Sequence, residues 1–372
     1  MSRAPRPPLP GRSRAPRAYR RPAGGWRRAA DVGVAAAIVV AVAGCTSTSH
    51  RSGGTGPSTT STVKPAAAQS AADLEQTYVK VVARVRPEVV QISTSEGLGS
   101  GVVYDTRGDI VTNAHVVGTA TSFTVRFLSG QTVPATVVGV YAPDDLAVIR
   151  VQGARDLSPA TFGESRTLQV GDIVLAIGNP LGLSSSVTDG IISYNGRPVS
   201  EGNGVTLAST IQTSAAINPG NSGGALADLN GDVIGIPTLA AVNQQGGGAA
   251  AGIGFAIPSD TVKLIVPQLI DSGRVTRSGR AALGISAADA VGSSGNPAGV
   301  QIVGVNASGP AAAAGIVAGD VITAVGSTPV TNLADLQAAL AQLAPGQRTT
   351  LTVVDQSGNR RDVTVVLGQL AG

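Results

Sequence analysis

One cysteine, Cys45, occurs in 372 residues. The rest of the chain can therefore form no disulfide, no thiolate zinc site and no cysteine nucleophile. Histidine occurs twice, as His50 and His115. That scarcity excludes His-rich metal sites and leaves two candidates for a histidine general base. Aromatic residues make up 3% of the chain, against 42% hydrophobic residues overall. A core must be built from Val, Ile, Leu and Ala, and the 49 glycines fit a turn-rich β protein. Acidic residues are absent from residues 1–30, which carry nine Arg. Residues 46–372 carry 18 Lys and Arg against 22 Asp and Glu, so the formal charge of +4 is an N-terminal property. It does not point to nucleic acid. It holds the N-terminus on the cytoplasmic side of a membrane.

Long apolar runs are lacking too. Val32–Ala43 is apolar but falls short of the roughly 20 residues that a spanning helix needs. Residues 1–30, Arg- and Pro-rich, read as a disordered N-region, and residues 31–45 as a signal or anchor segment. The segment ends in Val42-Ala43-Gly44-Cys45, similar to a bacterial lipobox, so Cys45 is the candidate lipid attachment site. An uncleaved anchor with an incidental cysteine is the alternative, and both tether the chain to a membrane. Arg20-Arg21 has surroundings that fit twin-arginine export poorly. Residues 46–72, rich in Ser, Thr, Gly, Pro and Ala, read as a flexible linker in which His50 is inert.

From Asp73 the pattern changes. Apolar spacing predicts a helix over Tyr78–Val90 running into Arg86-Pro87. Eleven short β-type runs follow, from Val89–Thr94 to Gly254–Ile257, separated by turn residues. Many short strands of this kind imply a sandwich or barrels. A helix is predicted over Pro258–Asp271, capped by Ser259 and interrupted by Pro267. Arg274–Arg280 is a polar hinge. Beyond it, strands alternate with two helical patterns, Pro310–Ala314 and Asn332–Gln342, the second with Leu333, Leu336, Leu340 and Leu343 on one face. The chain thus divides into residues 73–275 and 280–372.

Gly220-Asn221-Ser222-Gly223-Gly224 is the sharpest chemical signal. A serine hydroxyl needs a base to take its proton and amide donors to hold an oxyanion. Glycines around it let the backbone turn its N–H groups toward one point. His115, in Thr112-Asn113-Ala114-His115-Val116-Val117, is the only histidine within the folded region and so the candidate base. A carboxylate must hold the imidazole tautomer. Asp145 directly precedes an apolar strand, and Asp144 beside it is the competitor. Asp145 is favoured by the run Asp-Leu-Ala-Val-Ile, while Asp144 reads equally as a solvated turn residue.

The strings TNAHVV, DDLAVIRV, VGDIVLAIGNPLGL, VTDGIIS, IQTSAAINPGNSGGAL, GDVIGI and GIGFAIPS, in this order across residues 96–260, resemble the HtrA (DegP/DegS-like) family of serine proteases. The resemblance implies a mainly β chain: a chymotrypsin-like protease domain of two six-stranded β-barrels, with a triad of His115, Asp145 and Ser222 in the cleft between them. It implies an oxyanion hole from the amides of Gly220 and Ser222 with Asn221 between, and Ile217 on the wall of the pocket for the residue before the cut, where small aliphatic side chains fit. Ile217 as an ordinary core aliphatic is the competing reading. Ser214 and Ala225 stand where the family often has Asp and Pro, and neither change removes a catalytic group. Ala240–Gly252, rich in Gly and Ala, corresponds to a mobile loop of the family. Residues 280–372 resemble an α/β PDZ domain, in which Ala282-Leu283-Gly284-Ile285 matches the loop that receives a peptide's terminal carboxylate and the next strand pairs with the peptide.

The expectation is a serine endopeptidase of the bacterial cell envelope, acting on misfolded proteins, with peptide C-termini as PDZ partners and with no metal or organic cofactor. A chaperone or peptide-sensing scaffold with an idle protease fold is the main rival, and an esterase the lesser one. Family members are commonly homotrimers joined through aromatics near the protease N-terminus. Tyr78 is the only aromatic in Asp73–Gln91, so the trimer stays an open expectation.

Overall fold

The computed structural model describes residues 66–95, 97–179, 186–200, 206–218, 220–242, 249–292 and 296–372. The segment expected to be a signal or anchor, residues 31–45 with Cys45, lies outside the described residues, as does His50. Among the described residues, no helix is long and apolar enough to cross a membrane.

Two closed six-stranded barrels follow one another along the chain. The first is built from β1 (Val89–Ser93), β2 (Leu98–Val103), β3 (Asp109–Asn113), β4 (Ser122–Arg126), β5 (Thr132–Tyr141) and β6 (Leu146–Val151), closed in the order β1-β2-β3-β6-β5-β4. The second takes β7 (Ile173–Gly178), β8 (Ser186–Ser200), β9 (Thr206–Thr213), β10 (Ala225–Ala227), β11 (Val233–Val242) and β12 (Ala249–Pro258) in the order β10-β11-β12-β9-β8-β7. Closure removes the exposed strand edges that six short strands would otherwise leave. Each barrel is filled with the aliphatic residues that the composition demands. Val90, Ile92, Val103, Ile110 and Ile149 fill the first, and Val174, Ile192, Ile211, Leu226 and Ile234 the second. A third cluster, with Val111, Tyr141, Leu175 and Ile177, welds the barrels to each other.

Eleven of the twelve barrel strands coincide with the runs read from the sequence. The missed one is β10, only three residues long with two alanines of weak β propensity, which pairs with β7 and β11 where the barrel closes. Ala240–Val242 and Ala249–Gly252, expected as loop, extend β11 and β12, while residues 243–248 lie outside the described residues.

The N-terminal helix also departs from expectation. Helix α1 covers Ala66–Val85, so it begins inside the stretch read as linker. The stretch contains Ala66-Ala67-Ala68 and Ala71-Ala72, and alanine is the best helix former. The helix stops where Pro87 enters a 3₁₀ turn, Arg86–Glu88, because proline lacks the amide that would continue it. Its Val81 and Val85 are buried in the inter-barrel cluster. After the second barrel, α3 (Ser259–Ser272) buries Val262, Ile265, Val266 and Leu269 in that same cluster. Pro258 is its N-cap, and Ser259 does not serve as one: its hydroxyl donates to Gly163 O at 2.9 Å.

The C-terminal part has its own core, which includes Val300, Ile302, Ile322, Leu351 and Val353. Its main sheet runs β14 (Ile285–Val291), β15 (Pro297–Val305), β16 (Val321–Val325), β18 (Arg348–Val354), β19 (Arg360–Val366), with the short β17 (Thr328–Pro329) paired to β16. A two-stranded ribbon joins β13 (Ala281–Ala282) to β20 (Gly368–Gln369). Helices α4 (Pro310–Ala313) and α5 (Leu333–Ala341) complete it; Asn332 caps α5 by accepting from Asp335 N at 2.9 Å. Strand β14 is an edge of the sheet, with one side unpaired.

Candidate active site

His115 sits on α2 (Ala114–Val117), a single turn that follows β3 directly. Asp145 stands between a 3₁₀ turn, Ala142–Asp144, and β6, with a left-handed backbone of φ 49° and ψ 38°. Aspartate tolerates this conformation better than most residues, and its N–H closes the turn on Ala142 O at 3.0 Å. Because β3 and β6 pair, with Asn113 opposite Leu146, the two turns emerge side by side. Ala114 N and Asn113 Nδ2 both donate to Asp145 O, at 3.0 and 3.2 Å.

The carboxylate of Asp145 grips His115 with both oxygens. Oδ1 accepts from His115 N at 2.9 Å, and Oδ2 lies 2.8 Å from His115 Nδ1. The second contact fixes the tautomer, with the proton on Nδ1 and Nε2 left as the basic atom. Asp145 is buried, whereas the His115 side chain is 45% exposed and so open to substrate. Sequence reading missed Thr238, on β11, whose Oγ1 donates to Asp145 Oδ2 at 2.5 Å. Its backbone carbonyl accepts from Ser222 Oγ at 3.2 Å. One residue thus touches both the acid and the serine.

Asp144, the competing carboxylate, faces another way. It is buried and paired with Arg280 at 3.0 Å. Burial pushes its carboxyl pKa up, and Arg280 pulls it back.

The serine lies in a turn stitched to both barrels. Asn221 N donates to Asn218 O at 3.1 Å, and Asn221 Oδ1 accepts from Asn218 N at 3.0 Å. Gly223 N donates to Pro237 O at 2.9 Å and Gly224 N to Asn221 O at 3.0 Å. Among the described residues, the amides of Gly220 and Ser222 donate no backbone hydrogen bond. Gly220 has φ +107° and Gly223 φ +81°. A Cβ on Gly223 would stand 2.2 Å from Ser100 O, so no other residue fits.

Ser100, on β2 and also missed, reaches this turn from the first barrel. Its N–H donates to Ser222 O at 3.0 Å, and its fully buried hydroxyl donates to Gly220 O at 2.5 Å while accepting from Asn179 N at 2.9 Å. A lone serine within Leu-Gly-Ser-Gly-Val-Val carries no local signal of such a role. Ile217 is buried among Val174, Ala176, Ile211 and Leu226 in the second barrel, one residue before the Asn218–Asn221 turn, with Gly254 against it.

In the C-terminal part, Ala282-Leu283-Gly284-Ile285 links β13 to β14. Gly284 has φ +71°, its carbonyl accepts from Asn306 N, and Leu283 O accepts from Ala311 N, each at 2.9 Å. Together with Leu333, Leu336 and Leu340 of α5, this loop lines a cavity of about 650 Å³. Protease residues Pro143, Thr206 and Ala208 close its other side.

Comparison with known proteins agrees with this arrangement. Residues 99–236 match the trypsin-like peptidase domain and residues 281–367 the PDZ domain. The chain is 41% identical over 326 residues to serine protease PepD of Mycobacterium tuberculosis, covering 82% of this chain and 68% of that protein. It is 40% identical over 276 residues to periplasmic serine endoprotease DegP of Escherichia coli, covering 73% of this chain and 57% of that one. Among solved structures, a serine endoprotease from Yersinia pestis aligns with a TM-score of 0.54 and 35% identity over 79% of this chain and 98% of that one. The HtrA-type protease AlgW with a decapeptide aligns with a TM-score of 0.54 and 32% identity over 78% and 98%. With both domains matched in chain order and relatives of this identity, the chain belongs to the HtrA family of trypsin-like serine proteases bearing a PDZ domain.

Proposed function

We propose that this protease is an endopeptidase of the cell envelope that degrades misfolded proteins through His115, Asp145 and Ser222. Ser222 Oγ attacks the scissile carbonyl as its proton passes to His115 Nε2. The tetrahedral oxyanion is received by the amides of Gly220 and Ser222, with Asn221 holding the turn between them. His115 then gives the proton to the leaving amine, leaving an acyl-enzyme that water cleaves by the same route in reverse. The observation that carries this reading is the two-oxygen grip of Asp145 on His115. Ser222 Oγ donates to Thr238 O at 3.2 Å, and that bond is given up as the proton passes to His115.

Ile217, apolar and next to the turn, suits a pocket for small aliphatic residues before the cut. The free edge of β14, with the Ala282–Ile285 loop at its start, suits strand addition by a peptide whose terminal carboxylate meets the loop amides. The protease domain occupies residues 73–275 with α1 leading into it, and the PDZ domain residues 280–372. The N-terminal segment holds both outside the cytoplasm, through Cys45 lipid or an uncleaved anchor. The periplasmic DegP is a relative in keeping with this location. A homotrimer belongs to the same reading and is tested by sedimentation.

Labelling with a fluorophosphonate, beside casein cleavage and a Ser222→Ala control, tests the mechanism. The wild type is expected to label and cleave, and Ser222→Ala to do neither. A folded wild type that does not label would leave a peptide-binding scaffold. Turnover of small esters without casein cleavage would leave an esterase.

A further inference from the structure

The segment that presents the catalytic acid is held from behind by the PDZ side of the molecule. Arg280, the residue before β13, extends into the protease domain, its side chain only 14% exposed. Its Nη1 donates to Pro143 O and, at 3.0 Å, to Asp144 Oδ1; its Nη2 donates to Thr206 O at 2.7 Å. Pro143 and Asp144 form the 3₁₀ turn that Asp145 closes. The residue before that turn is tied to the same region, since Tyr141 Oη donates to Leu370 O at 3.3 Å and Leu370 N donates to Arg280 O at 2.9 Å.

We propose that Arg280 is a positioning residue for catalysis, which sets the Ala142–Asp145 turn and through it the Asp145 carboxylate against His115. The proposal rests on Asp145 being the catalytic acid. Three acceptors, two from the 3₁₀ turn and one from the start of β9, converge on one guanidinium, a geometry that the fork of arginine meets and a single ammonium does not. Asp144 is 8% exposed, so without Arg280 it would be a buried charge with no counter-ion. It would then either take up a proton or draw the turn toward water. Asp145 cannot follow such a movement freely, because its oxygens are already committed to His115 N, His115 Nδ1 and Thr238 Oγ1. The turn therefore bears on the triad directly. Arg280 also adjoins the Ala282–Ile285 loop and lines the same cavity.

The test is steady-state cleavage of a quenched fluorescent peptide with an amidated C-terminus, so that no free carboxylate engages the PDZ loop. Full-length Arg280→Ala is expected to lose about tenfold to a hundredfold in kcat, the scale of a displaced catalytic group, with KM within about twofold of wild type. Arg280→Lys is expected to recover part of the loss. Arg277→Ala, an exposed change in the same hinge, serves as the wild-type-like control. A folded Arg280→Ala with wild-type kcat would overturn the proposal. If that variant does not fold, Asp144→Asn decides: a several-fold fall in kcat supports the proposal, and a wild-type kcat overturns it. Asp145→Asn is measured alongside. Full activity there would remove the catalytic reading itself, whereas an inactive Asp145→Asn beside a fully active, folded Arg280→Ala would remove only the clamp.

Discussion

Ser100→Ala deletes one oxygen atom from the interface between the first barrel and the catalytic turn. The backbone bond from Ser100 N to Ser222 O survives the change, so the turn keeps one of its ties. Two buried groups lose their partner, Gly220 O and Asn179 N. Each buried polar group left unsatisfied costs about 1–3 kcal/mol. Partial relaxation brings the sum to about 2–4 kcal/mol. For a domain of this size, each kcal/mol lowers Tm by about 2–4 °C, so a fall of roughly 4–16 °C is expected in a thermal melt. Activity should suffer separately. This hydroxyl holds the carbonyl of Gly220, whose amide is a donor in the proposed oxyanion hole, and a misaligned oxyanion donor costs up to about 10²–10³ in kcat. A loss of about tenfold to a hundredfold in kcat, measured well below the lowered Tm, is the expected result. A folded Ser100→Ala with wild-type kcat and wild-type Tm would refute the idea that this hydroxyl shapes the oxyanion turn.

Thr238→Val keeps the shape of β11 but removes the 2.5 Å bond to Asp145 Oδ2. A hydrogen bond to a charged group is worth about 1.5–3 kcal/mol. The variant should therefore lose about tenfold to a hundredfold in kcat/KM, and a value within twofold of wild type would deny Thr238 a role in holding the acid. Glu88 offers a pH test remote from the site. It is buried in the 3₁₀ turn after α1, and its Oε2 has no hydrogen-bond partner among the described residues. Burial pushes its pKa from 4.5 up to about 7, with Arg84 opposing and Asp232 adding to the shift. The folded-state value lies above the unfolded one, so its contribution to stability is full below about 4.5 and is lost as pH rises through about 7. Glu88→Gln should flatten the fall of Tm between about pH 5 and about pH 8, and an unchanged slope in thermal melts would show that Glu88 does not titrate there.

The chemistry was legible in the sequence because its parts are local. Glycines around Ser222 are needed whatever surrounds them, and His115 is alone in the folded region. The apolar runs, punctuated by turn residues, marked nearly every barrel strand. Composition failed where a local pattern had two physical outcomes. Ala66–Ala72 reads as a flexible linker by its small residues and as a helix by its alanine propensity, and in the structure it continues the helix whose Val81 and Val85 are buried. The three residues of β10 form a strand where a closing barrel offers partners on both sides.

The sequence pattern favoured Asp145 over Asp144, and the tertiary structure shows where each of the two faces. Both precede β6; Asp145 turns to His115 through a left-handed backbone, while Asp144 is turned to Arg280, 136 residues away. The supporting groups were not legible in the sequence. Ser100 meets Gly220 across 120 residues and Thr238 meets Asp145 across 93. A hydroxyl in a strand is an ordinary residue until the fold supplies its acceptor, because a hydrogen bond is set by distance in space and not by position along the chain. The sequence by itself marked eleven of the twelve barrel strands and singled out Ser222 and His115 as the proposed nucleophile and base. Barrel closure and domain docking determined how the acid, the oxyanion turn and their supports meet.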